Sequence, residues 1–237
     1  MRISALTRGW STPRGAAHLF ARVVLGAWAA FSATVESYVM PSPWAVSARL
    51  LAMFSDVHEI GHMLYSFAHI ISAVCISFVI GSALAFLAHY MGLFRPAIQD
   101  RVTPFLNSFS GVGWTFLAII WFGISDVTVV FVISLVLVPF AIINMAEGLA
   151  NLDREILEMA RSFARAPGQR FWLVILPSLY PFIFATIRIS FGVAWKVALT
   201  AELFGGNTGL GYMLNLARQD FDMPLVLAVI VVIIAFV

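Results

Sequence analysis

Long apolar stretches separated by short polar or glycine-rich breaks run through almost the whole chain. The apolar runs fall at about 23–40, 64–90, 103–124, 127–146, 178–204 and 223–237. A helix needs roughly 20 apolar residues to cross a hydrocarbon core about 30 Å thick. The pattern therefore predicts an all-α integral membrane protein of about six transmembrane helices. The first run is the weakest, with Glu36 near its far end. The last run holds only 15 residues, too few to cross at about 1.5 Å per residue. We therefore expect the natural helix to continue past Val237, the rival reading being a re-entrant helix.

The breaks carry their own signals. In Met40-Pro41-Ser42-Pro43, Ser42 suits a helix cap and Pro43 the first turn that follows. Residues 44–54, with Trp44, Val46, Leu50, Leu51 and Phe54, then read as a short amphipathic helix lying at the membrane surface. Gly123-Ile124-Ser125-Asp126 is so short a break that its flanking helices must form a hairpin. The most charged region, 147–177, and the glycine-rich loop 205–211 flank the fifth run.

Composition agrees with this pattern. Of 237 residues, 61% are hydrophobic and 11% charged, against about 25% charged in soluble domains. That excludes an ordinary soluble enzyme and a disordered chain. The net charge of +2 argues against nucleic-acid binding. The single cysteine, Cys75, excludes an internal disulfide. Arg2, Arg8, Arg14 and Arg22 precede the first run and mimic a secretory signal, but the further spans favour a retained first helix. An N-terminus on the inside puts those four with Arg95, Arg101, Arg154, Arg161, Arg165 and Arg170 on one face, 10 of the 14 basic residues. The opposite loops hold Arg49 and Arg218 with Asp56, Glu59, Asp126, Asp220 and Asp222. This asymmetry matches the positive-inside rule.

Four constellations could carry chemistry. His58-Glu59-Ile60-Gly61-His62 is an H-E-x-x-H pattern, which on a helix presents two imidazoles to one zinc and a carboxylate to a bound water. It offers an alternative function, an intramembrane zinc metalloprotease with His58 and His62 as ligands. That needs a third ligand at membrane depth, and the later carboxylates fall mostly in loops. The plainer reading is a polar helix start. Arg188 and Lys196 lie within one span, eight residues apart, an offset of roughly 80° on an α-helix. With Trp195 and Glu202 they could line a pathway for a small anion, or form structural pairs. Asn107 and Ser110, near Gly111 and Gly113, suit close helix packing or the same pathway. The loop 205–211 has no preceding strand, and no G-x-x-x-x-G-K-[ST] occurs, so neither nucleotide-binding turn fits.

The fourth is 147–177. Leu152, Ile156, Met159, Ala160 and Phe163 recur at helical spacing among mixed charges, before the Pro167-Gly168 break. This predicts a short amphipathic helix suited to docking in a partner's groove or to lying on the membrane. Glu158, Ala160, Val174 and Leu176-Pro177 resemble, at matching spacing, the E-A-A-x-x-x-G…I-x-L-P loop of permease subunits of binding-protein-dependent type I ABC importers. Met159 and Ala164 depart from that pattern. Pro41-Ser42-Pro43, Trp121-Phe122-Gly123-Ile124, Ala194-Trp195, Ala201-Glu202 and Gly209-Leu210-Gly211-Tyr212 are similar to segments of the family's nitrate, sulfonate, taurine and bicarbonate branch.

The resemblance implies a type I ABC importer permease fold in the bacterial inner membrane. It implies a second copy of the permease in surrounding lipid, and an outer substrate-binding protein, periplasmic or lipid-anchored. It also implies cytosolic ATPase subunits that hold the ATP and Mg, so that this chain is itself no enzyme. The ATPases would dock at Leu152, Ile156, Glu158, Met159, Ala160, Arg161, Ser162, Phe163 and Ala164. The cargo would be a small solute, expected to be an anion such as nitrate, a sulfonate, taurine or bicarbonate.

Overall fold

The computed structural model describes residues 13–152, 158 and 167–236, and every regular element among them is helical. In chain order these are α1 (Pro13–Ser32), α2 (Pro43–Met53), α3 (Val57–Tyr90), α4 (Arg95–Ser108), α5 (Gly111–Phe122), α6 (Asp126–Ala150), α7 (Gly168–Gly205), α8 (Leu210–Gln219) and α9 (Met223–Phe236). Among the described residues four are long and apolar enough to cross a bilayer: Gly15–Ser32, α3, α6 and α7. The pair α4 and α5 supplies a fifth apolar segment, bent by 88° at its break. The helix α1 begins at Pro13 rather than near residue 23, and α7 begins two turns ahead of Pro177.

The chain divides into two compact units, Met1–Ile60 with Leu214–Phe236, and Gly61–Met213. In the first, Ser42 caps α2 by accepting the Ala45 N–H at 3.2 Å, and Pro43 fills the first turn, where no N–H is needed. The Trp28 indole donates to the Pro41 carbonyl at 3.1 Å, fixing the turn that enters α2. The helix α2 packs on α9. Asp222 caps α9 by accepting the Leu225 N–H at 3.1 Å. Arg49 of α2 donates from both terminal nitrogens to Glu59, at 2.5 and 3.0 Å, and its Nε lies 3.7 Å from Asp222. That forked pair raises the guanidinium pKa above its ordinary value, against the opposing effect of partial burial.

In the second unit α6 is central, packed against α4, α5 and α7. The helix α3 meets it at Gly81, where a Cβ would collide with the Ala141 side chain and sit 3.0 Å from the Val138 carbonyl. Such contacts let backbones approach closely where no water-driven force pulls helices together. One core cluster gathers Ala85, Met145, Leu149, Ile175 and Leu179, with Phe78, Phe86 and Phe171 around it. A second gathers Ala88, Ile98, Val138 and Ile142.

The apolar run 103–124 is not one straight helix. Phe109 and Ser110 are extended, and the Ser110 hydroxyl accepts the Gly113 N–H at 3.3 Å, which starts a new helix in a new direction. A serine beside small residues can satisfy the freed N–H groups that such a break exposes. The hairpin at 123–125 forms as expected, with Ser125 capping α6 by accepting the Thr128 N–H at 3.3 Å. Both α4 and α7 contain a π turn, at Ile98–Val102 and Phe171–Ile175. Each lies just ahead of a Thr-Pro or Leu-Pro pair, Pro104 and Pro177. Proline lacks an N–H and its ring clashes with the carbonyl four residues back, so a wider turn relieves both problems.

Candidate functional site

The best-formed polar site lies where α7 ends, in the second unit. Glu202 is four residues from the Gly206 cap, and its residue is 1% exposed. A carboxylate so placed is costly unless its oxygens are hydrogen-bonded. Here they are. The Ser66 hydroxyl donates to Oε2 at 2.8 Å, and the Gly211 N–H donates to the same oxygen at 2.9 Å. His69 Nδ1 lies 2.9 Å from Oε1 and is placed to donate to it.

The site then spreads along the loop. The Ser66 hydroxyl accepts the Leu210 N–H at 2.7 Å, and His62 Nδ1 accepts the Gly209 N–H at 3.2 Å. Thr208 donates its hydroxyl to Asp126 Oδ1 at 2.6 Å, and that oxygen lies 3.5 Å from His69 Nε2. The Ser125 N–H donates to the Gly205 carbonyl at 3.0 Å. The backbone from 205 to 211 is therefore tied to α3, α6 and α7 at once. Glycine is required in it. Gly209 has φ +100°, and a Cβ there would overlap the Glu202 carboxylate. At Gly211 a Cβ would lie 2.5 Å from the Leu199 carbonyl.

This arrangement makes a rigid clamp rather than a reaction centre. It has no nucleophile paired with a free base, and each polar atom named is satisfied by the fold. Nor does it hold a metal: among the described residues no group of three His, Cys, Asp or Glu is placed to do so. The H-E-x-x-H reading finds no support for the same reason. Both Glu59 oxygens are taken by Arg49, and His62 Nδ1 by the loop.

The predicted pathway residues fall in two groups. Trp195 and Glu202 are buried, the indole edge-on against Phe67 with centroids 5.1 Å apart. Arg188, Lys196, Asn107 and Ser110 are exposed. Of the docking residues, Leu152 is partly buried against the Met145–Leu149 cluster, and Glu158 is exposed. Ile156, Met159, Ala160, Arg161, Ser162, Phe163 and Ala164 lie outside the described residues. Sequence reasoning singled out Glu202 and the glycine loop but missed Ser66 and His69. The signal was present: His62, Ser66 and His69 step by four and three, one polar face on an apolar helix.

An all-helical architecture with several bilayer-length helices is that of a multi-pass membrane component. The chain belongs to the family of binding-protein-dependent transport system inner membrane components, whose model matches residues 22–237. It is a multi-pass inner-membrane permease of the ABC importer class. It is similar to a protein named as an ABC transporter permease in Brucella melitensis biotype 1, at 29% identity over 89% of this chain and 85% of that one. It is similar to an aliphatic sulfonates transport permease protein of Bacillus subtilis strain 168, at 28% identity over 90% of this chain and 78% of the relative. A taurine transport system permease protein of Escherichia coli K12 is 27% identical, over 85% of this chain and 76% of its own length.

Proposed function

We propose that the chain forms the translocation pathway of an importer for a small organic or inorganic anion. The observation that carries this reading is on α7. Arg188 and Lys196 are exposed near the middle and in the second half of a 38-residue helix, and no carboxylate pairs with either among the described residues. Cations at that depth are costly unless they face water or an anion. The relatives named for sulfonates and taurine handle solutes that carry a sulfonate anion, which agrees with such a wall.

The rest of the assembly follows from the same reading. The N-terminus lies inside, and a second copy of the chain closes the pathway. Cytosolic ATPase subunits, carrying ATP and Mg, grip residues 152–164, and an outer binding protein delivers the solute. Closure of the ATPases then switches access from one side to the other. Purified complex in proteoliposomes tests the cargo. Across a panel of nitrate, bicarbonate, taurine and alkanesulfonates, one anion should stimulate ATP hydrolysis and accumulate, and Arg188→Gln with Lys196→Gln should weaken that transport about tenfold or more. Stimulation by a neutral solute alone would overturn it. Glu158→Lys tests the coupling, and unchanged transport-linked hydrolysis in that variant would place the ATPase contact elsewhere.

A further inference from the structure

The end of α3 remote from the clamp carries a second polar feature. A cavity of about 310 Å³ lies between the last turns of α3, the start of α4 and the end of α6. Its walls are small, with Ala85, Ala88 and Ala146 among them, and its polar atoms come from His89, Arg95 and Gln99. The Arg95 Nε donates to Gln99 Oε1 at 3.1 Å, which orients the guanidinium and leaves its two terminal nitrogens as donors. No carboxylate lines the cavity, and no acid pairs with Arg95 among the described residues.

Two observations bear on the depth of this cavity. His69 and His89 are twenty residues apart on one helix, a rise of about 30 Å, which is the thickness of a hydrocarbon core. Second, exposed aromatics gather at the same level. Tyr90 stacks near Phe86, Phe86 meets Phe171 at 5.8 Å, and Phe171 meets Trp172 at 5.7 Å. Tyr90 and Trp172 are exposed, as tyrosine and tryptophan are at a membrane–water boundary. Phosphate groups of the lipid sit at that boundary.

We infer that the cavity of His89, Arg95 and Gln99 is a phosphate-binding site, filled from the bilayer by the headgroup of an anionic phospholipid. The guanidinium forks onto two phosphate oxygens, the imidazole and carboxamide supply further donors, and the alanine walls leave room for the group. Basic pockets between membrane helices take anionic headgroups in this way. The lipid would brace the α3–α4 turn against α6, next to the start of the 152–164 segment.

Native mass spectrometry of the full complex, extracted from vesicles of phosphatidylcholine with phosphatidylglycerol, tests the site. Phosphatidylglycerol should stay bound in preference to phosphatidylcholine. Arg95→Ala should weaken that retention about fivefold or more, Arg95→Lys less, and Arg101→Ala not at all. Millimolar inorganic phosphate that fails to displace the lipid assigns the headgroup as ligand. Displacement, with phosphate bound in the wild type and not in Arg95→Ala, supports the same site filled from solution. Equal retention of both lipids, or of phosphatidylglycerol by wild type and Arg95→Ala alike, overturns the inference. Because Arg95 and His89 are exposed, the variants should keep wild-type melting temperatures, and a loss of ATPase-subunit binding with lipid retention intact would also overturn it.

Discussion

Ser66 and Glu202 stand 136 residues apart in sequence and are joined by a 2.8 Å hydrogen bond, each about 1% exposed. The same serine also accepts the Leu210 N–H, so one hydroxyl joins α3, the end of α7 and the start of α8. Removing the carboxylate would strand Ser66, His69 and the Gly211 N–H together. We expect Glu202→Ala to cost about 3 kcal/mol, and Glu202→Gln less, since its amide oxygen still accepts. Thermal unfolding in detergent measures both. An unchanged melting temperature for Glu202→Ala would show the clamp contributes nothing.

Gly209 offers a separate test through the backbone. Its φ of +100° and the adjacent carboxylate leave no place for a methyl group. Gly209→Ala should therefore lose about 1–3 kcal/mol. Gly192, on α7 with no atom near its missing Cβ, should accept alanine with little change. If the two variants melt alike, the loop is not held as described.

The pair Arg49–Glu59 should behave differently from the clamp. Its side chains are 25% and 14% exposed, so solvent screens it, and a double-mutant cycle with methionine at both positions should give about 1 kcal/mol of coupling. The sign of the pH effect follows from the raised Arg49 pKa. A cation held above its ordinary value keeps its charge through neutral and mildly alkaline solution, so on the alkaline side the contribution is lost only in strongly alkaline solution. Titration between neutral and mildly alkaline pH should leave this coupling flat, and a fall there would contradict the assignment.

Topology can be read from the lone cysteine. Cys75 lies six residues past His69, inside the apolar stretch of α3. An impermeant reagent has little access to that apolar level, so an impermeant maleimide should label it slowly in intact membranes. In a Cys75→Ala background, Asn207→Cys and Gly92→Cys place thiols at exposed positions toward opposite ends of α3. They should label from opposite sides of the membrane. Labelling of both from one side would remove α3 as a span.

Local features were legible because they depend on neighbours in sequence. The Ser42 cap with Pro43 and the turn at 123–125 both form as their residues indicate. The helical class followed from apolar runs alone. The 88° break at 109–110 was hidden because serine and glycine inside an apolar run look the same whether they pack helices or end one. The clamp was hidden for another reason. A carboxylate shows its charge in the sequence but not its donors, and two of those to Glu202 come from more than 130 residues away.

The π turn in α7 has a consequence for how this helix is numbered into faces. One extra residue in a turn advances the backbone by about 100°, so positions before Phe171 and after Ile175 do not share a helical wheel. A tryptophan or cysteine scan should show a period near 3.6 from Leu176 to Gly205, with Gly168–Arg170 out of phase with that pattern by about 100°. A single projection drawn through Arg170 and Arg188 would set those two side chains on the wrong relative faces by roughly a quarter turn.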